Sequence, residues 1–88
     1  MKIRYEASFA KDLKNIREKS LLTRVAKIID EVKKGDNAKQ IDSLKKLKGY
    51  DTFYRIKFGD YRLGIEIINN EIIFTRFLHR KEIYRFFP

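Results

Sequence analysis

The chain contains no cysteine and no tryptophan, and its 88 residues include one histidine, one proline and one methionine. Without cysteine there is neither a disulfide framework nor a thiolate metal site. A single histidine leaves too few ligands for a histidine-based zinc site. No Pro/Ser-rich linker, internal repeat or low-complexity segment marks a domain boundary. We therefore predict one domain over residues 1–88 and expect no cofactor.

Acidic residues are scarce relative to basic ones: 12 Asp and Glu stand against 21 Lys and Arg, which gives a net charge of +9. Such an excess favours a polyanionic partner, either nucleic acid or an acidic protein and less readily a membrane surface. No run approaches transmembrane length, and the N-terminal residues lack the apolar segment of a signal peptide. We therefore expect a cytoplasmic protein that does not bind a membrane.

The stretch from residue 53 to residue 67 predicts a β-hairpin, because two alternating runs flank a Gly-Asp pair suited to a two-residue primed turn. In that register Lys57 lies opposite Arg62 and Arg55 lies opposite Gly64. One face is then apolar and belongs to a core. It carries Tyr54, Ile56, Phe58, Tyr61, Leu63, Ile65 and Ile67.

The other face of this hairpin carries the cations Arg55, Lys57 and Arg62, and Lys45 and Lys48 add charge just before it. Cations directly opposite on adjacent strands repel, at a cost of roughly 0.2–1 kcal/mol. Two interpretations remain open. The face is either a solvated strand surface, where Lys and Arg are common, or a surface that binds an anion such as phosphate.

The N-terminal half predicts a short strand followed by a helical hairpin. Residues 2–6 alternate between apolar and charged side chains, and apolar residues then recur at helical spacing in two stripes. Ser8 and Ser20 are the expected N-caps, and Gly35 suits a left-handed position after the second helix. Over residues 36–48 we expect a loop or a short helical turn.

After the hairpin, asparagines at positions 69 and 70 predict a second tight turn, and residues 71–78 predict another strand. An unbroken register would place Arg76 on the apolar face, so a β-bulge or a different register is expected there. Together the elements predict an α+β fold: an N-terminal strand, a helical hairpin, a three-stranded antiparallel meander and a short helical tail. The helices lie on one face of the sheet.

Several motifs recur together in a characteristic order. They are Leu-Lys-Gly at 47–49, Tyr-Arg-Ile-Lys at 54–57, Gly-Asp-Tyr-Arg-Leu at 59–63 and His-Arg-Lys-Glu-Ile-Tyr-Arg at 79–85. In these motifs and in its element order, the chain resembles the RelE/ParE superfamily of toxins from bacterial toxin–antitoxin pairs, on the RelE side. RelE-like toxins are ribosome-dependent endoribonucleases that cut mRNA in the decoding site. The resemblance therefore implies a cognate antitoxin, the ribosomal A site and mRNA as partners.

The resemblance also implies the site residues, which in RelE-like toxins are strand cations, an arginine after the last strand and a C-terminal tyrosine. Carried over to this sequence, these are Arg55, Lys57, Arg62, Arg80 and Tyr84. Arg55 stands where some members have lysine, and Leu78 stands where a glycine is common. Some relatives use a histidine in this tail, which makes His79 an additional candidate.

Such a site would promote attack by a ribose 2′-OH on the adjacent phosphorus, which requires proton transfer and stabilisation of the added charge. Arg62 and Arg80 suit bidentate contact with phosphate. Tyr84 is the first candidate for general base, because surrounding cations favour a phenolate. Lys57 is a candidate acid or electrostatic clamp, and His79 is an alternative proton carrier.

We expect Lys45, Lys48 and Arg55 to hold RNA phosphates. Two other functions remain open: a ParE-like inhibitor of DNA gyrase on the same scaffold, and a non-catalytic RNA-binding module. The retained cations and Tyr84 favour the ribonuclease over the gyrase inhibitor, whereas the binding module needs the same cations. The structural alternatives are a Tyr84 ring packed into the tail and a His79 that is an ordinary surface residue.

Overall fold

The structure is a computed structural model that describes residues 2–35 and 44–88. Its elements in chain order are β1 (Lys2–Tyr5), α1 (Ala7–Lys14), α2 (Lys19–Lys34), β2 (Leu44–Lys46), β3 (Phe53–Phe58), β4 (Tyr61–Ile68), β5 (Glu71–His79) and α3 (Ile83–Phe86). Within the described ranges, no helix is both long and apolar enough to cross a bilayer.

The strands form one mixed sheet in the order β1-β5-β4-β3-β2. β1 runs parallel to β5, and the other neighbouring pairs are antiparallel. β1 and β2 lie at opposite edges of the sheet, so α1 and α2 carry the chain across it. The predicted α+β fold, with its N-terminal strand, helical hairpin, antiparallel meander and helical tail, is confirmed.

The prediction of a loop or short helical turn over residues 36–48 is wrong at residues 44–46, which form β2. Lys45 there pairs with Arg55 of β3. This short strand covers the outer edge of β3 and becomes the edge of the sheet itself. Residues 36–43 of the same segment lie outside the described part of the chain.

Both predicted turns and the register of the hairpin are confirmed. Lys57 pairs with Arg62 across β3 and β4, as the alternation predicts. Gly59, at the tip of this hairpin, has a φ of 57°, the positive value that a primed turn with glycine first requires. Asn69 and Asn70 have φ values of 50° and 61°, which fits a primed turn between β4 and β5.

The main core lies between the helices and one face of the sheet. The predicted apolar face of the hairpin contributes to it in full, partly through residues packed against its rim. The buried members of this core are Phe9, Leu21, Val25, Val32, Ile56, Phe58, Leu63, Ile65, Ile72, Phe74 and Phe77.

A β-bulge interrupts the pairing of β4 with β5 and resolves the difficulty posed by Arg76. Ile65 pairs with Phe74, whereas the preceding Gly64 pairs with Arg76. Thr75 is therefore an extra residue on β5, and the alternation of faces changes there. Arg76 consequently leaves the apolar face and joins the face of Gly64.

The predictions for the helix ends are wrong at three positions. Glu6 is the N-cap of α1 and makes no side-chain capping bond. The Ser8 hydroxyl instead donates to the Thr75 carbonyl oxygen at 2.8 Å, which ties α1 to β5. Ser20 lies within the first turn of α2, and Gly35 has an extended φ of −85° rather than a left-handed one. Tertiary contact of α1 with the strand outweighs local capping preference.

Candidate active site

The face of the sheet opposite the main core carries the cations predicted from the hairpin. Register partners share a face of a sheet, and the register aligns Lys45 with Arg55, Arg55 with Gly64, and Lys57 with Arg62. These four cations therefore lie on one face, in two adjacent rows. We call this surface the cationic face.

The C-terminal tail packs on the cationic face at Gly64, where the sheet has no side chain. A Cβ built on Gly64 would lie 2.8 to 2.9 Å from three ring carbons of Phe87, so the ring rests directly on the strand backbone. Phe87 also meets the Phe53 ring edge-on, with centroids 5.5 Å apart. Ile83, at the start of α3, is completely buried. Burial of Ile83 and Phe87 thus holds the segment that presents Tyr84.

A pocket of about 520 Å³ opens between this tail and the β2–β3 edge. Among the described residues that line it, four are cationic and none is acidic. The lining residues are Lys45, Lys46, Leu47, Lys48, Tyr50, Arg55, Tyr84, Phe87 and Pro88. The structure therefore brings together the predicted Lys45, Lys48, Arg55 and Tyr84. The Tyr84 side chain is 57% exposed, which argues against a purely packing role for its ring.

Arg62 and Lys57 lie in the row next to Arg55 but do not line this pocket. The Arg62 Nη1 atom donates to the carbonyl oxygens of Gly59 and Tyr61 at 2.7 and 2.8 Å, so part of the guanidinium is engaged by the turn. Lys57 borders a second pocket of about 390 Å³ between α2 and β3. These two residues extend the cationic face towards the hairpin turn.

Arg80 and His79 occupy the other end of β5. The Arg80 N–H donates to the Asp60 carbonyl oxygen at 2.7 Å, and its Nε lies 3.8 Å from Asp60 Oδ1, beside the hairpin turn. His79 pairs with Tyr61, which belongs to the core face, and its ring meets the Tyr61 ring edge-on at 5.5 Å. Its Nδ1 accepts the Lys81 N–H at 3.1 Å. His79 and the Tyr84 pocket are therefore on opposite faces of the sheet.

Sequence reasoning missed a buried ion pair next to the tail. Asp12 is 6% exposed, and its Oδ2 and Oδ1 accept from Nε and Nη2 of Arg76 at 2.8 and 3.0 Å. Its Oδ2 also accepts the Phe77 N–H at 2.9 Å. Hydrogen bonding to Asp12 raises the pKa of Arg76. Partial burial lowers this pKa, and the negative charge of Asp12 raises it further, so the net change is upward. The signal in the sequence was Arg76 on an apparently apolar face, which called for an acidic partner.

Lys46 and Tyr50 line the pocket as well, although neither was a predicted site residue. An aromatic residue directly after a lysine-rich segment was the available signal. Such a ring can stack on a nucleobase.

Known proteins resemble this chain in sequence and in fold. Residues 3–84 match the family described as the ParE toxin of the type II toxin–antitoxin system, parDE. Toxin RelE3 of Methanocaldococcus jannaschii is 42% identical over 89 residues, which span 100% of both chains. A chain in the crystal structure of the RelB–RelE antitoxin–toxin complex from Methanococcus jannaschii is 40% identical, with a TM-score of 0.84. The match covers 97% of this chain and 99% of that chain.

A crystal structure of YafQ from E. coli shares the fold, with a TM-score of 0.68 at 14% identity. The match covers 93% of this chain and 96% of that chain.

The chain belongs to the ParE toxin family of type II toxin–antitoxin systems. Its full-length likeness to toxin RelE3 makes it a RelE-like toxin within that family.

Proposed function

We propose that this toxin is a ribosome-dependent endoribonuclease that cleaves mRNA in the ribosomal A site. The observation that carries the proposal is the pocket in which the exposed Tyr84 lies together with Lys45, Lys48 and Arg55. The cations that line this pocket attract the RNA backbone, and a phenol adds a group that can transfer a proton. A surface that only held phosphate would not need the phenol.

The reaction begins when the 2′-OH of the ribose attacks the adjacent phosphorus. The Tyr84 oxygen accepts the hydroxyl proton while the 2′-oxygen–phosphorus bond forms and the bond from phosphorus to the 5′-oxygen breaks. Conservation of atoms gives a 2′,3′-cyclic phosphate and a 5′-hydroxyl. The leaving oxygen needs a proton, for which Lys57 is the candidate donor.

The cations stabilise the negative charge that builds up on the phosphoryl oxygens. Arg55 lies in the pocket with Tyr84, and its planar guanidinium suits two parallel contacts to one phosphate. Arg62 and Arg80 lie towards the hairpin turn, where they can hold a neighbouring phosphate. We assign Lys45 and Lys48 to backbone binding. His79 is the weaker candidate for proton transfer, because it lies on the core face of the sheet.

A cognate antitoxin is the expected protein partner. The RelB–RelE and DinJ–YafQ structures that resemble this chain are toxin–antitoxin complexes. With a net charge of +9, the toxin suits an acidic partner that is partly disordered and folds on binding. Such a partner would neutralise the toxin by covering or distorting the cationic face.

Inhibition of DNA gyrase is the second candidate function, because the matching family carries the ParE name. It requires no residue for proton transfer, so replacement of the Tyr84 phenol would leave it intact. A supercoiling assay with purified gyrase measures it directly.

Primer extension on an mRNA, with and without ribosomes, tests the proposal. Cleavage is expected only when ribosomes are present and translating. Arg55→Ala should remove cleavage. Lys34→Ala should not, because Lys34 does not line the pocket and its side chain is 77% exposed in an ion pair with Asp30 on α2. Intact mRNA under all conditions would contradict the proposal, and equal cleavage without ribosomes would contradict ribosome dependence.

A further inference from the structure

The helix that presents Tyr84 has four residues, Ile83–Phe86, and so depends on tertiary contacts for its orientation. Ile83 and Phe87 bury one side of the tail. These two contacts lie on either side of Tyr84, and neither of them restrains the exposed side of the helix. Phe86, on that side, is 53% exposed.

The exposed side is supported by Arg76. Its guanidinium carbon lies 5.4 Å from the centre of the Phe86 ring, within the range of a cation–π contact. An unrestrained arginine side chain would sample many rotamers and hold the ring poorly. Two hydrogen bonds to Asp12, at 2.8 and 3.0 Å, restrict it to one orientation.

Asp12 is itself fixed in three ways. It belongs to α1, it is 6% exposed, and its Oδ2 also accepts the Phe77 N–H. Phe77 lies beyond the segment where β1 covers the edge of β5, so the carboxylate satisfies a donor that has no strand partner. α1 is thereby connected through one arginine to the tail that carries Tyr84.

We propose that Asp12 is a positioning residue for Tyr84, acting through Arg76 and Phe86 on the orientation of α3. This inference rests on the proposed ribonuclease function, because Tyr84 is the group it positions. Neither Asp12 nor Arg76 lines the Tyr84 pocket, so the pair acts through the tail and does not touch the substrate.

Asp12→Asn is the informative substitution because it keeps the shape of the side chain. An amide has one acceptor oxygen, whereas three N–H groups point at the Asp12 carboxylate. The amide nitrogen must therefore face one of these donors, and the restraint on Arg76 weakens. Asp30→Asn is the matched control, since it removes the same charge from an exposed ion pair on α2.

The first readout is the single-turnover cleavage rate on ribosome-bound mRNA. We expect Asp12→Asn to lower it by about 10- to 100-fold, because a displacement of about 1 Å can have that effect on a reacting group. The Kd for ribosomes should not change, and Asp30→Asn should match the wild type. In a Tyr84→Phe background, Asp12→Asn should cause no further loss, because the group it positions is gone.

The second readout does not depend on RNA cleavage. By NMR, the Nε–H proton of Arg76 should exchange slowly with solvent in the wild type and rapidly in Asp12→Asn. The backbone N–H of Arg85, which donates to the Glu82 carbonyl oxygen, should also exchange faster in Asp12→Asn. If the wild type does not cleave mRNA, the proposed function fails, while the NMR measurement still tests the link between Asp12 and the tail.

A wild-type cleavage rate in Asp12→Asn, or an equal loss in both the wild-type and Tyr84→Phe backgrounds, would overturn the inference. Should Asp12→Asn fail to fold, Phe86→Leu provides the second test, because it keeps an apolar side chain but removes the aromatic face. It should lower the cleavage rate with little change in ribosome binding. An unchanged rate in Phe86→Leu would overturn the inference as well.

Discussion

Adding one methyl group at Gly64 should destabilise the protein, because a ring lies directly on this position. The Cβ of an alanine there would meet three ring carbons of Phe87 at 2.8 to 2.9 Å, well inside ordinary contact distance. Phe87 is 1% exposed and is backed by Phe53, so the ring cannot move away without moving the tail. The φ angle of Gly64 is not in the left-handed region, so steric overlap is the sole cause of the expected effect.

Overpacking of this kind costs typically about 1–3 kcal/mol. We expect Gly64→Ala to lower the free energy of unfolding by that amount in urea denaturation. Since Tyr84 lies three residues before Phe87 in the same tail, the displacement should also lower the cleavage rate. Both effects have one physical origin and should therefore appear together.

A double-mutant cycle with Phe87→Ala separates steric overlap from other causes. Phe87→Ala removes the three ring carbons that lie nearest to the new Cβ, and replacing a strand glycine should then stabilise the protein by roughly 0.5–1 kcal/mol. The effect of Gly64→Ala should thus change sign between the two backgrounds. Equal destabilisation in both backgrounds, or a Gly64→Ala protein as stable and active as the wild type, would refute the reasoning.

Four further predictions concern the cationic face, the second turn and the antitoxin. Arg62→Ala should remove cleavage and growth arrest while circular dichroism remains native, and Arg62→Lys should restore little because the bidentate fork is lost. Lys57→Ala should act in the same direction but more weakly. Asn69→Ala should destabilise by about 1 kcal/mol in urea, because its φ is 50°, whereas Asn69→Gly should be nearly neutral. The on-rate for antitoxin should fall steeply as salt rises in stopped-flow experiments, and an on-rate independent of salt would argue for a purely apolar contact.

The hairpin was predictable because its signals are local. Strict alternation from Tyr54 to Ile67 around a Gly-Asp turn determines both the faces and the register, and the structure has the predicted pairs. The interruption near Arg76 could also be expected, since an unpaired arginine does not fit an apolar face. The β-bulge is the structural solution, and only the fold supplies Asp12, 64 residues away, as its partner.

In the site, too, some residues were predictable from sequence motifs, whereas the contacts that support them depend on the fold. Arg55 and Tyr84 were predicted as site residues, and they share a pocket although 29 positions separate them. The support for that pocket was not predictable, because the contact of Phe87 with Gly64 depends on how the tail crosses the sheet. His79 follows the alternation of β5 after the bulge, which places it on the core face. The helix caps were mispredicted because a bond to a distant carbonyl outweighed the local preference of Ser8.

The most direct test of the ribonuclease account is the single-turnover cleavage rate of Tyr84→Phe on ribosome-bound mRNA. This change keeps the ring and removes only the oxygen to which we assign the proton transfer. We predict a fall on the order of 10²–10⁴-fold with ribosome binding nearly unchanged, and a wild-type rate that rises with pH until the catalytic base is ionised. Normal cleavage by Tyr84→Phe together with inactive His79→Ala would move the base to His79. Normal cleavage by both variants would contradict proton transfer by either residue.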